Sequence, residues 1–195
     1  VTVGSAPTNR EAVGKNLLMV ILRGLLGFAP ISAPAIGTAL GSVAPDAKLE
    51  TLEGKPADLS QFIGKGPVVI EFWATWCPSC KELEPAMLAA QKKYAGKVQF
   101  VGVAVSVNES PELVRRYTQK HGLAGAQFYD RTGVAIDAYG VPATSFVVVV
   151  GKNGRVVYTG LGGTQDLNWA VPKALFCGTA EAAAFAASAA LSGTS

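Results

Sequence analysis

Only three of the 195 residues are cysteine and only one is histidine. Three cysteines cannot build a disulfide scaffold. A zinc centre on any two of them would need two further ligands, and Cys177 and His121 stand far from the one close pair, in no second pair of their own. Charge is sparse as well: 17 basic against 14 acidic side chains leave a net charge of +3, with no basic run, so nothing points to a nucleic-acid partner. No glycine-rich loop links a strand to a helix, which removes the usual phosphate cradle. No internal repeat is present, and the length suits one domain with its own core.

What is there is concentrated in Cys77-Pro78-Ser79-Cys80. The apolar run Val68-Val69-Ile70-Glu71-Phe72-Trp73 before it reads as a buried strand, and Lys81 to Tyr94 after it reads as a helix. Two cysteines at such a turn can close a small ring and reopen it, the chemistry of dithiol-disulfide exchange. The attacking species is a thiolate, and the unpaired N–H groups and positive dipole end of a helix favour the anion. Cys77 is therefore the expected nucleophile, with Cys80, a turn further in, as the resolving thiol. Pro78 suits the first helical turn because it presets φ and lacks an N–H. A purely structural bridge is a poor alternative, since so small a ring removes little unfolded-state entropy. Glu71, six positions before Cys77, needs a reason to sit in an apolar strand, because a buried charge is costly unless paired or neutralised.

The stretch Phe72-Trp73-Ala74-Thr75-Trp76-Cys77-Pro78-Ser79-Cys80 resembles the active-site segment of the thioredoxin superfamily. The wider context, roughly Val43 to Phe176, is most similar to TlpA/ResA-type thiol-disulfide oxidoreductases. The resemblance implies a thioredoxin-like α/β fold, a mixed central sheet with helices on both faces, and protein-disulfide reduction by Cys77 and Cys80 without any cofactor. It implies a cis-proline loop at Tyr139-Gly140-Val141-Pro142, with Val141 offering its backbone to an extended substrate. Glu71 looks like the longer counterpart of the thioredoxin aspartate that moves protons at the second cysteine. Trp73 and Trp76 would shield the pair and, with Pro78, form the docking surface. Ser79 with Pro78 would tune the potential, and Pro85 matches the proline that kinks the helix. The family often carries a glutamate three residues after the second cysteine. Here that position is Leu83, and its neighbours Glu82 and Glu84 are expected on solvated or rim faces, without a catalytic role.

The expected partners are protein thiols and disulfides, including apocytochrome c, with a membrane thiol transporter returning electrons to a monomeric protein. A disulfide-forming oxidase or a general cytosolic thioredoxin uses the same residues with a different potential. A copper-delivery module is a reading of another class, but such relatives separate their cysteines by three residues and add a histidine near the substrate loop. No metal site is expected.

The rest of the chain frames this site. Arg10 and Lys15, the apolar run Leu17 to Leu22 and the small residues up to Ala44 resemble a signal peptide or membrane anchor. Arg23 interrupts that pattern. Residues 1–42 are thus expected to be a targeting segment and linker, 43–177 the domain, and 178–195 an alanine-rich tail. The positive flank places the domain outside the cytoplasm, in the periplasm or its equivalent. Ser110-Pro111 reads as a helix start and Gly122 as its end, with His121 a charge complementing the dipole and Cys177 an inert thiol.

Overall fold

The computed structural model describes residues 37–123 and 125–176. Residues 1–36 of the targeting segment and linker expected over 1–42, Cys177 and the tail 178–195 lie outside the described residues. The elements follow in the order β1 (Lys48–Thr51), β2 (Pro56–Asp58), a 3-10 turn (Leu59–Gln61), β3 (Val68–Trp73) and α1 (Pro78–Lys93). Then come β4 (Gln99–Val105), α2 (Pro111–His121), β5 (Ala126–Asp130) and α3 (Val134–Tyr139). The chain closes with β6 (Phe146–Val150), β7 (Val156–Leu161), α4 (Leu167–Ala170) and α5 (Pro172–Phe176).

The strands form one mixed sheet in the order β2-β1-β5-β4-β3-β6-β7. β3, β4 and β5 run parallel, and β6 returns antiparallel on the other side of β3. β3 thus lies inside the sheet, and its apolar residues are covered on both faces, as a central strand requires. Val68, Ile70 and Phe72 enter one core with Tyr139, Phe146 and Val103. Val69 enters the opposite core with Leu83, Met87 and Ala90 of α1. The period of two therefore puts Glu71 and Trp73 on the face that α1 covers.

α1 presents that face through Cys80, Leu83, Met87 and Ala90, spaced three, four and three residues apart. Lys92 and Lys93 complement its C-terminal dipole. Pro85 lies inside the helix and is exposed; lacking an N–H, it leaves the bond to the preceding turn unmade. α2 begins as the sequence indicates, with Ser110 Oγ accepting the Leu113 N–H at 3.2 Å and Pro111 in the first turn. Gly122 ends it in the left-handed region at φ 65°. Pro172 divides the closing helix into α4 and α5. One strand escapes the sequence reading. Pro56–Asp58 pairs antiparallel with β1 at the sheet edge, a position where proline is tolerated because its missing N–H faces no neighbour.

Gly102 of β4 stands directly across from Glu71. A Cβ there would lie 2.9 Å from Trp73 Nε1 and 2.1 Å from Gln127 Oε1, closer than packed atoms approach. Its lack of a side chain makes room for Trp73 beside the carboxylate. Gly102→Ala is expected to destabilise the fold by about 1–3 kcal/mol through overpacking, with altered tryptophan fluorescence. Denaturant unfolding that matches wild type would show that the two side chains simply move aside.

Candidate active site

β3 delivers the chain to the N-terminus of α1, and Cys77 is the N-cap of that helix, extended at φ −76° and ψ 115°. Its Sγ accepts the Cys80 N–H at 3.1 Å and lies 3.4 Å from Ser79 Oγ. Cys77 and Cys80 are joined as a disulfide, with Cα atoms 5.3 Å apart. On reduction the same N–H and the helix dipole point at Cys77 sulfur, the environment that lowers a thiol pKa. Both cysteines lie beneath the surface, 1% and 6% exposed, so a partner must reach them through the surrounding rim. Pro78 and Trp76 are exposed on that rim, whereas Trp73 is buried.

A loop absent from the sequence reading braces the turn. Glu109, just before α2, accepts the Thr75 N–H at 2.7 Å. The Trp76 indole N–H donates to the Val107 carbonyl at 2.8 Å. The Tyr129 hydroxyl holds the Glu109 carbonyl at 3.0 Å. These contacts fix the turn between β3 and α1 from outside. A charged bond to a backbone amide is worth about 1.5–3 kcal/mol, and Glu109→Ala is expected to lose about that much. Urea unfolding of the oxidised protein checks it, and an unchanged midpoint would remove the brace from the account.

Beneath the disulfide lies a cavity of about 20 Å³ lined by Glu71, Trp73, Cys80, Glu84, Met87, Tyr117 and Leu123. Glu71 reaches it from β3. Burial raises its carboxyl, with the nearby Glu84 charge adding to the effect, and the group is pushed up to about 8. Glu84 does not point to open solvent as its sequence setting implies. Its Oε2 accepts the Tyr117 hydroxyl at 2.8 Å and its Oε1 lies 2.9 Å from His121 Nδ1. His121 therefore faces a carboxylate on α1, a more specific partner than the helix dipole. Glu82 remains exposed, as expected.

The proline loop departs from expectation. No peptide bond among the described residues is cis, so Val141–Pro142 is trans. The trans form is the intrinsically preferred one for an X-Pro bond, and here the reversal after α3 comes from Gly140 at φ 56° and Ser145 at φ 64°. The Val141 N–H donates to the Ile136 carbonyl at 3.0 Å, closing the end of α3, so it is not free to pair with a substrate strand. Pro142 itself is exposed. The loop rejoins the sheet where the Ser145 N–H donates to the Phe72 carbonyl at 2.9 Å, next to the end of β3.

Glu71 takes up a proton on folding wherever the pH lies between its ordinary value and about 8. Its contribution to stability is therefore complete below about pH 4.5 and declines as pH rises through 8. Glu71→Gln is expected to flatten that decline, on the order of a few kcal/mol between pH 5 and pH 9. Parallel slopes for the two proteins would mean that the carboxyl titrates normally.

Comparison with known proteins gives the same picture from outside. The family model described as Redoxin matches residues 39–174. The thiol-disulfide oxidoreductase ResA of Geobacillus thermodenitrificans is 31% identical over 163 residues, 81% of this chain and 92% of that protein. The crystal structure of a putative thiol:disulfide interchange protein DsbE from Chlorobium tepidum superposes with a TM-score of 0.62 at 26% identity, covering 70% of this chain and 98% of that one. A secreted Mycobacterium tuberculosis disulfide oxidoreductase, described as homologous to Escherichia coli DsbE, matches with a TM-score of 0.54 at 26% identity, over 62% of this chain and 87% of that one.

Proposed function

The chain belongs to the Redoxin family and is a thioredoxin-like thiol-disulfide oxidoreductase, and on that footing we propose that it reduces protein disulfides outside the cytoplasm. The observation that carries the reading is the Cys77–Cys80 disulfide at the N-terminus of α1, with Glu71 lining the cavity below it. In the reduced protein the Cys77 thiolate attacks a substrate disulfide, forming a mixed disulfide and releasing one substrate sulfur as a thiolate. The ionised form of Glu71, whose share grows as pH approaches about 8, takes the proton of Cys80, and Cys80 attacks Cys77 sulfur, which expels the second substrate sulfur and closes the ring. Two electrons have moved from the dithiol to the substrate, and two protons complete the substrate thiols. A protein dithiol on the donor side reverses the sequence at the ring. No cofactor takes part.

Roles follow from placement. Trp76 and Pro78 form the exposed rim over the sulfurs, and Trp73 backs the cavity wall. Ser79, beside Cys77 sulfur, tunes the potential together with Pro78. Exposed Pro142 and the Val141 carbonyl are the loop's offering to a substrate backbone, now that the Val141 N–H is engaged. Pro85 interrupts the hydrogen-bond ladder inside α1, the place where a helix bends. The substrates are protein disulfides, with apocytochrome c the candidate carried by the family resemblance. A membrane thiol transporter is the electron source. The secreted relative and the basic-then-apolar sequence near the N-terminus support an extracytoplasmic location. No described helix is long and apolar enough to cross a membrane.

Two measurements test this reading. The reduction potential of the pair is expected well below the strongly oxidising end of the scale, about −120 mV; a value near that end makes the protein an oxidase. Cys80→Ser is expected to accumulate mixed disulfides at Cys77, with apocytochrome c among the captured proteins after export. Capture by Cys77→Ser instead would invert the roles of the two cysteines, and capture of cytosolic proteins alone would overturn the location.

A further inference from the structure

Protons that reach Glu71 need a way out, and the structure offers one on the side away from the sulfurs. Glu71 and Cys80 share their cavity with Glu84 and Tyr117. A volume of about 20 Å³ accommodates one water molecule, which needs about 10–15 Å³. From Glu84 the path continues outward. Its carboxylate is only 18% exposed, and it is held between the Tyr117 hydroxyl and His121 Nδ1 at 2.8 and 2.9 Å. The His121 ring stacks on Tyr117 with centroids 3.9 Å apart and planes 8° from parallel, and 31% of its side chain meets solvent. Tyr117 packs in turn on Trp73 at 5.5 Å. The titratable groups facing this cavity are thus Glu71 from β3, Cys80 and Glu84 from α1 and Tyr117 from α2, with His121 of α2 behind Glu84. Burial, and then the bond to Glu84, raise the Tyr117 hydroxyl, so it donates to Glu84 and does not itself release a proton.

We propose that Glu84 and His121 form the proton outlet of the dithiol site, carrying the proton that Glu71 takes from Cys80 through the cavity to bulk solvent. The proposal rests on the assignment of Glu71 as proton acceptor. Both residues act through Glu71 and never touch the sulfurs, so they are positioning residues for the exchange reaction. The balance is simple: for each ring closed by glutathione disulfide, two cysteine protons leave and two glutathione thiols form. One of those protons travels Cys80, Glu71, Glu84, His121. The alternative is that the Glu84–Tyr117–His121 cluster merely ties α1 to α2. Both roles use the same hydrogen bonds, but only the outlet needs groups that change protonation.

The test follows ring closure of the reduced protein by glutathione disulfide, using tryptophan fluorescence in stopped flow, in dilute phosphate at pH 6 to 9. This reaction uses no natural substrate. The variants are Glu84→Gln, which keeps the hydrogen-bonding shape without the charge, His121→Asn and Glu71→Gln. Glu84→Gln and His121→Asn are each expected to slow closure about tenfold near pH 7, the low end of general acid-base effects. Added imidazole should restore His121→Asn, and the pH profile of Glu84→Gln should shift to lower pH as Glu71 loses its charged neighbour. If Glu71→Gln is slow while the other two close at the wild-type rate, the outlet is wrong and the role of Glu71 stands. If Glu71→Gln is itself unaffected, the acceptor assignment fails and the outlet falls with it. A loss in His121→Asn that imidazole does not restore, with a lowered melting temperature, assigns the cluster to helix tethering and overturns the outlet.

Discussion

One constraint organises the molecule: a carboxylate sits among the buried apolar residues of a central strand, β3. β3 is flanked by β4 and β6 and covered on both faces, so Glu71 cannot turn away from protein. The sheet accommodates it by leaving the cross-strand position empty of side chain at Gly102 and by placing a small cavity, which Glu84 and Tyr117 also line, between β3, α1 and α2. Desolvation then raises the carboxyl, which exchanges a charged group for one that can hold a proton near neutral pH. The dithiol, the tryptophan behind it and the Glu84 cluster are all arranged around that concession.

The second organising feature is the junction of β3 and α1. A parallel strand flows into a helix whose first turn presents the Cys80 N–H to Cys77 sulfur. The turn is held by residues far along the chain, Val107 and Glu109, so the geometry around the sulfurs is set by tertiary structure more than by the four-residue motif. A motif of this length specifies chemistry; its surroundings specify how that chemistry is tuned.

How much of this was legible beforehand depends on the range of each interaction. Central strands, the active-site helix and the Ser110-Pro111 start announce themselves locally, through apolar runs, helical spacing and capping residues. Glu71 is legible too, because a lone charge in an apolar strand is conspicuous. Glu84 is not: it belongs to the charged run Lys81-Glu82-Leu83-Glu84, and the His121 that gives it meaning is 37 residues away. Glu109 is hidden for the same reason, its partner Thr75 lying 34 residues earlier. The edge strand at Pro56 was masked by its own proline. The proline loop shows the limit of analogy: Pro142 is where the resemblance puts it, while the bond before it and the use of the Val141 N–H are decided by how α3 ends.

The two sulfurs that do the work are separated by a single helical turn, while the walls around them come from β3, α1 and α2. The bridge therefore joins residues that the helix already holds together, and opening it releases almost no chain. Redox state and folding state are thereby decoupled. The protein can lose and regain its one described covalent crosslink at every turnover without approaching an unfolded form, which is what permits a disulfide to serve as a consumable reagent in a permanent structure.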